Sequence, residues 1–369
     1  MREPNEEKVS NGHSASGGCS LLPSFLRQLQ DPSIETVLLC GCGGGFDFVH
    51  GLTLYPELQR MGKTVVIGSY SFGDPHKISG ATKVFDQTGV IAKRVTAAST
   101  PDAHYGPEVH VCSFLDQLYP SSTPHFVYAY YARDFTVPLL TQLYRQLVQT
   151  HSVDAIVLVD GGSDSLMVGD EEGLGDPIED AVSVAAVASL KELKARVLIS
   201  IGLGTDRFNH VSDAASLRAI AELTRMGGFL GAISLEPTGE GSCLYRACLD
   251  HIFQRQGFRS VLAGTIASAI EGYYGLDEVP PVLQQRVKPG QLFVWPLMAM
   301  LWGFDVETVA ERSLIAKWIR ECDTVSACYE ALRTCRDELG TRLKKIENLP
   351  RHEEMRAMRD PAQRSGQIR

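Results

Sequence analysis

The segment AIVLVDGGSDSLMVGDEEGLGDPIED, residues 155–180, decides the fold class. Its first five residues form an unbroken apolar run rich in β-branched side chains, with none of the polar alternation of a strand that has one wet face. Such a strand is buried on both faces, as in a parallel sheet covered by helices. Pro177 then opens a stretch of helical period at 178–194. A strand, a loop and a helix in that order make one unit of an α/β protein.

The unit recurs in both directions along the chain. TVLLC at 36–40, TVVIG at 64–68, FVYAYY at 126–131, VLISIG at 197–202 and FLGAISL at 229–235 predict further buried strands. Helices are expected at 46–61, 134–149, 213–226 and 243–256, with Asp134 and Ser212 placed to cap two of them. Leu292–Pro296 reads as a last strand, and two helical segments follow. The second carries Val325, Cys328, Leu332, Cys335 and Leu339 at spacings of three and four, an apolar stripe suited to core packing or to a partner. The expected organisation is a flexible arm at 1–20, an α/β domain of layered helix, mostly parallel sheet and helix at 33–305, a helical extension at 306–348 and a flexible tail at 351–369.

Composition excludes several classes of function. Lys and Arg total 35 against 44 Asp and Glu, giving a net charge of −9 over 369 residues. With no basic stripe, nucleic acid is not an expected partner. No apolar run approaches the ~20 residues that span a bilayer, so no membrane is expected either. The opening MREPNEEKVS has no apolar run of a secretory signal, which makes the expected location cytoplasmic. The nine cysteines are odd in number and favour free thiols, and Cys40 and Cys42 do not have zinc-site spacing.

In a parallel α/β sheet the ligand lies outside the carboxyl ends of the strands, so four loops matter most. GCGGGFD at 41–47 lies between a strand and a helix, where Gly41, Gly43, Gly44, Gly45 and Asp47 are candidates for binding an anion. A tight turn is the competing explanation. Counted from Gly41, a dinucleotide GxGxxG needs glycine where Phe46 stands, and the second strand ends without the ribose-binding acid. The loop after Val159 gathers eight acids: Asp160, Asp164, Asp170, Glu171, Glu172, Asp176, Glu179 and Asp180. Asp160 and Asp164, read as exposed loop carboxylates, are candidates to hold Mg²⁺ or another divalent cation, with Gly161 and Gly162 beside the ligand. Capping and the first turn of the next helix account for Asp176, Glu179 and Asp180.

GLGTDRFNH at 202–210 offers Arg207 as an anion clamp and Asp206 or His210 as a proton carrier. EPTGEGSCLY at 236–245 offers Gly241 and Ser242 for an anion, or Ser242 as a helix cap. Arg133 and Asp134 lie at a further strand-to-helix junction.

Together VLLCGCGGGFD, VDGGSDSLMVGDEEGLGDP and ISIGLGTD resemble the uncharacterised domain-of-unknown-function family 1152 over roughly residues 33–305. The resemblance implies a Rossmann-like core and brings no activity and no catalytic residue. The preferred expectation is an enzyme acting on a small anionic metabolite, nucleotide-like or phosphorylated, by metal-assisted hydrolysis or group transfer. One alternative is a non-catalytic nucleotide or metabolite sensor whose helical end, with Trp302, Trp318, Cys322 and Tyr329, binds a partner. Another is a nicotinamide-dependent oxidoreductase. A homo-oligomer is compatible with all three.

Overall fold

A computed structural model describes residues 20–102, 104–276 and 279–349. The expected tail and nearly all of the expected arm lie outside these residues. Among those described, nine strands form a single sheet. They are β1 (Thr36–Gly41), β2 (Thr64–Ser71), β3 (Thr82–Gln87), β4 (Val90–Thr96), β5 (Phe126–Tyr131), β6 (Ala155–Asp160), β7 (Ala195–Ile201), β8 (Phe229–Ser234) and β9 (Met300–Asp305). Their order is β3-β4-β5-β2-β1-β6-β7-β9-β8. The central five pair in parallel, while β3, β4 and β9 run antiparallel to their neighbours, so the sheet is mixed.

Twelve α-helices are described: α1 (Ser24–Leu29), α2 (Asp47–His50), α3 (Tyr55–Arg60), α4 (Pro107–Leu118), α5 (Val137–His151), α6 (Pro177–Ala188), α7 (Asp213–Arg225), α8 (Glu240–Phe253), α9 (Val261–Ile270), α10 (Val306–Arg312), α11 (Leu314–Trp318) and α12 (Val325–Leu339). The absence of alternation in the central strands has the consequence expected of it. Successive side chains enter cores on opposite faces. Leu38, Cys40, Ile156, Leu158 and Leu198 pack on one side with α5, α6 and α10. Val37, Leu39, Val157, Val159 and Ile199 pack on the other with α2, α4, α8 and α9.

Four differences from the sequence reading have identifiable causes. The helix expected at 46–61 is split into α2, a 3-10 turn at Gly51–Thr53, and α3, because the side chains of α2 turn inward toward the sheet edge. The β3–β4 hairpin was missed. It turns on Thr88 and Gly89, both with positive φ, and Thr is a rare occupant of that conformation. The last strand is β9, while 292–296 contributes only an isolated bridge from Val294 to Gly275. Pro296 starts a 3-10 turn there, and the Trp295 indole donates to the Leu203 carbonyl (2.6 Å). Asp134 caps nothing, since α5 starts from Thr136, whereas Ser212 caps α7 by accepting from the Ala215 amide (3.1 Å).

The carboxyl-terminal segment fastens the acidic loop. Of the α12 stripe only Cys328 is fully buried; the other four positions are half-buried. Arg336 donates to the carbonyls of Gly169 (2.9 Å), Glu171 (2.7 Å) and Glu172 (3.1 Å). Lys344 pairs through its backbone with Asp170 and Glu172, each at 2.7 Å, and its Nζ lies 3.0 Å from the Asp170 carboxylate. The Glu171 carboxylate turns back onto the amides of Val168 and Gly169. Asp170, Glu171 and Glu172 are thereby accounted for as parts of a built loop. Replacing Arg336 with Ala leaves three carbonyls without this donor. The expected outcome is a stability loss of about 1–3 kcal/mol in denaturant titration and faster amide exchange confined to residues 168–173.

Candidate functional site

From β1 the chain steps outward to β2 and β5, and then returns to place β6 and β7 on the other side of β1. In open α/β sheets the crevice above the strand ends at such a reversal is where ligands bind. Three carboxylates meet at that place. Asp47 comes from α2, Asp160 is the last residue of β6, and Asp180 sits in the first turn of α6. One oxygen of each lies within 4.8 Å of the others. Asp160 is 2% exposed, which corrects the expectation of an exposed loop carboxylate. Asp164, Asp206 and Glu179 are buried around the three.

The hydrogen bonds show how the loops are held. Asp47 accepts from the amides of Gly43 (2.9 Å) and Gly161 (3.1 Å), tying the first loop to the second. Glu179 accepts from Gly44 (3.0 Å), Asp206 from Ser163 (2.7 Å) and Asp164 from Asp176 (3.0 Å). Ser165 donates its hydroxyl to Asp160, and one oxygen of Asp180 has no partner. The amides of Gly43, Gly44 and Gly161, expected to receive an external anion, therefore already donate to the chain's own carboxylates. Nor does α2, a single turn, supply a substantial dipole. Capping does not suffice for Glu179 and Asp180, because Glu179 reaches the Gly44 amide and Asp180 lies among the other carboxylates.

Glycines provide the room. A Cβ on Gly43 would stand 2.7 Å from Asp180 Oδ1, and one on Gly162 would stand 2.2 Å from Asp206 Oδ2. On Gly44 it would collide with the ring of Phe72, a half-exposed side chain lying over Gly44 and Gly45. Gly41 is packed against the start of α2, within 3.0 Å of the Phe48 amide measured from the same position.

No basic side chain forms an ion pair with Asp47, Asp160, Asp164, Asp180 or Asp206 among the described residues. Burial, reinforced by the neighbouring carboxylates, holds Asp47, Asp160, Asp180 and Asp206 well above the usual carboxylate range. Burial likewise raises Asp164 to about 6 and Glu179 to about 7.

The other expected residues fall elsewhere. Arg207 pairs with Asp213 (2.7 Å) and lies over the rings of Phe293 and Trp295. His210 is exposed at the end of a 3-10 turn with φ 68°. Gly241 is packed on the Thr53 carbonyl, and Ser242 is buried within α8, whose N-cap is Gly239, so Ser242 is not a cap. What α8 brings to the crevice is Tyr245. Its hydroxyl lies 2.9 Å from Nδ1 of His50, a fully buried residue that sequence reasoning missed. The available signal was DFVH at 47–50, in which Asp47 and His50, three apart, share a helix face.

The architecture is thus that of a mixed-sheet α/β protein with an acidic centre at the strand ends. The chain belongs to the family described as Protein of unknown function (DUF1152), whose model matches residues 136–338. The match starts after the β1 loop and takes in α12, a different span from the 33–305 of the motif resemblance. No curated protein and no solved structure matches. No described helix is long and apolar enough to cross a membrane.

The carboxylates give the protein a definite pH response. Their folded-state pKa values lie above the unfolded ones near 4, so their protonated forms favour the fold at low pH. This contribution is lost as pH rises through about 6 for Asp164 and about 7 for Glu179. In chelator, calorimetry is expected to show Tm falling by several degrees between pH 5 and pH 8. Asp180→Asn should remove part of the fall.

Proposed function

We propose that the chain is an enzyme that acts on a small anionic metabolite, nucleotide-like or phosphorylated, by metal-assisted hydrolysis or group transfer. The observation that carries this reading is the convergence of Asp47, Asp160 and Asp180 within 4.8 Å in a buried place. Like charges so close and so poorly solvated are stable either protonated or around a cation, and oxygen donors in this number suit a divalent ion. Such an ion also removes the repulsion that the crevice would exert on an anionic substrate.

The fold supports the same reading. Counted along the chain, the parallel strands stand in the order third, second, first, fourth, fifth, which is Rossmann-like, with helices on both faces as three layers. The crevice at the reversal is where such sheets bind nucleotides and related ligands.

The residues divide the work by position. A cation at Asp47, Asp160 and Asp180 would stabilise charge developing on a phosphoryl or carbonyl oxygen. Asp164 supports it from the next turn. Glu179, beside Gly44 and raised by burial to about 7, is suited to move a proton at neutral pH, and Asp206, which burial also raises, is the second candidate. Arg133 is exposed and its positive charge acts on Glu179, which supports giving it, in place of Arg207, the role of meeting the substrate's anionic end. The eight described cysteines are free thiols, in keeping with residence in the reducing cytoplasm.

The test is turnover of a panel of phosphomonoesters, nucleotides and sugar phosphates by protein loaded with Mg²⁺, Mn²⁺ or Zn²⁺. Asp160→Asn is expected to lower turnover by at least ~10³-fold while Tm in chelator stays level or rises, since the substitution removes a buried like charge. Full activity in chelator, or no divalent-ion binding by calorimetry, would refute the reading.

A further inference from the structure

We propose that the cleft between α1, α3, the end of β8 and the start of α8 binds an uncharged acyl compound, an aliphatic chain ending in an ester or amide carbonyl. The cleft has a volume of about 520 Å³, within the range of small-molecule sites. Asp47, Asp160 and Asp180 are not among its lining residues, so it is a site apart from the carboxylate centre.

Most of the lining is aliphatic. Leu22 and Leu26 come from the segment around α1, Leu54 from the turn before α3, Ile233 and Leu235 from the end of β8, and Leu301 from β9. β8 is an edge of the sheet, with β9 as its one neighbour, and Ile233 is 37% exposed there. An aliphatic chain laid along these side chains removes apolar area from water.

The polar part of the lining is the first turn of α8, in the stretch 236–245 that the carboxylate centre leaves unused. α8 begins at Glu240 after Gly239, a residue without a side chain to cap it. The Cys243 amide donates to the Gly239 carbonyl (2.9 Å), so the amides of Glu240, Gly241 and Ser242 precede the helical ladder. All three residues line the cleft. Ser242 adds an independent observation. It is 1% exposed and its Oγ has no hydrogen-bond partner, where a hydroxyl so deeply placed ordinarily has one. A serine in mid-helix would use the carbonyl four residues back, but here that residue is Thr238, outside the helix. Amide N–H groups and a spare hydroxyl together suit an acceptor oxygen.

Charge selects among acceptors. Glu57, Glu236 and Glu240 also line the cleft, against a single basic residue, Arg60, which is shared between Glu57 and Glu240. The excess of negative charge disfavours a carboxylate or a phosphate. An uncharged carbonyl takes the same hydrogen bonds without the repulsion.

The experiment is calorimetric titration of the full chain at neutral pH with octanamide and, separately, with octanoate. Octanamide is expected to bind saturably at one site and octanoate at least ~10-fold more weakly. Ser242→Ala should weaken octanamide binding by about 3- to 10-fold with no fall in Tm, because its hydroxyl has no partner to lose. Ile233→Glu, at a position already partly in water, should weaken it by at least ~10-fold. No saturable binding of octanamide, binding indifferent to both substitutions, or octanoate bound as tightly as octanamide would each overturn the proposal. The comparison of the two probes is made on the unaltered chain, so a variant that fails to fold does not remove the test.

Discussion

Putting several carboxylates into one buried place without a basic residue is the constraint around which this molecule is organised. Charge repulsion and lost hydration both oppose it, and among the described residues no ion pair to the five aspartates offsets them. The compensation is distributed. Backbone amides from Gly43, Gly44, Gly161 and Ser163 are turned toward the acids, and glycines replace side chains wherever an oxygen must approach the backbone. Beneath them lies a sheet with apolar cores on both faces, which supplies the stability that the crevice consumes. That a folded chain retains so unfavourable an arrangement is the physical reason to read it as functional.

The central sheet was legible because burial on both faces leaves an unmistakable record in sequence. TVLLC, TVVIG, FVYAYY, AIVLVD and VLISIG have no regular polar alternation, and each lies in a strand apart from the closing Gly202. The edges were less legible. β3 and β4 have one wetter face and a turn built on Thr88, while MLWGFD carries a glycine and an unremarkable pattern where β9 forms.

At the site, Asp47, Asp160, Asp164 and Asp206 could be chosen from their place after strands, because topology brings such loops to one edge. Which acids converge could not be read in that way. Asp180 lies at the start of a helix, where an acid has a sufficient local explanation in the dipole, and only the packing of α6 against the loop after β1 turns it inward. His50 was hidden by a helix drawn too long, for in a long amphipathic helix a single histidine carries no message. Arg207 and His210 illustrate the converse, since adjacency in sequence to Asp206 does not survive a 3-10 turn that sends the three side chains in different directions.

The strap formed by Arg336 and Lys344 sets an order of events. Its partners at 169–172 precede it by about 165 residues, so a chain emerging from the ribosome completes its β1–β6 pairing long before the loop can be fastened. Until α12 is released and docks, the stretch 169–172 lacks its strap. The loop beside the acidic centre is consequently fastened late, and a chain cut short before α12 would retain the strands of its sheet while leaving residues 169–172 without their donors.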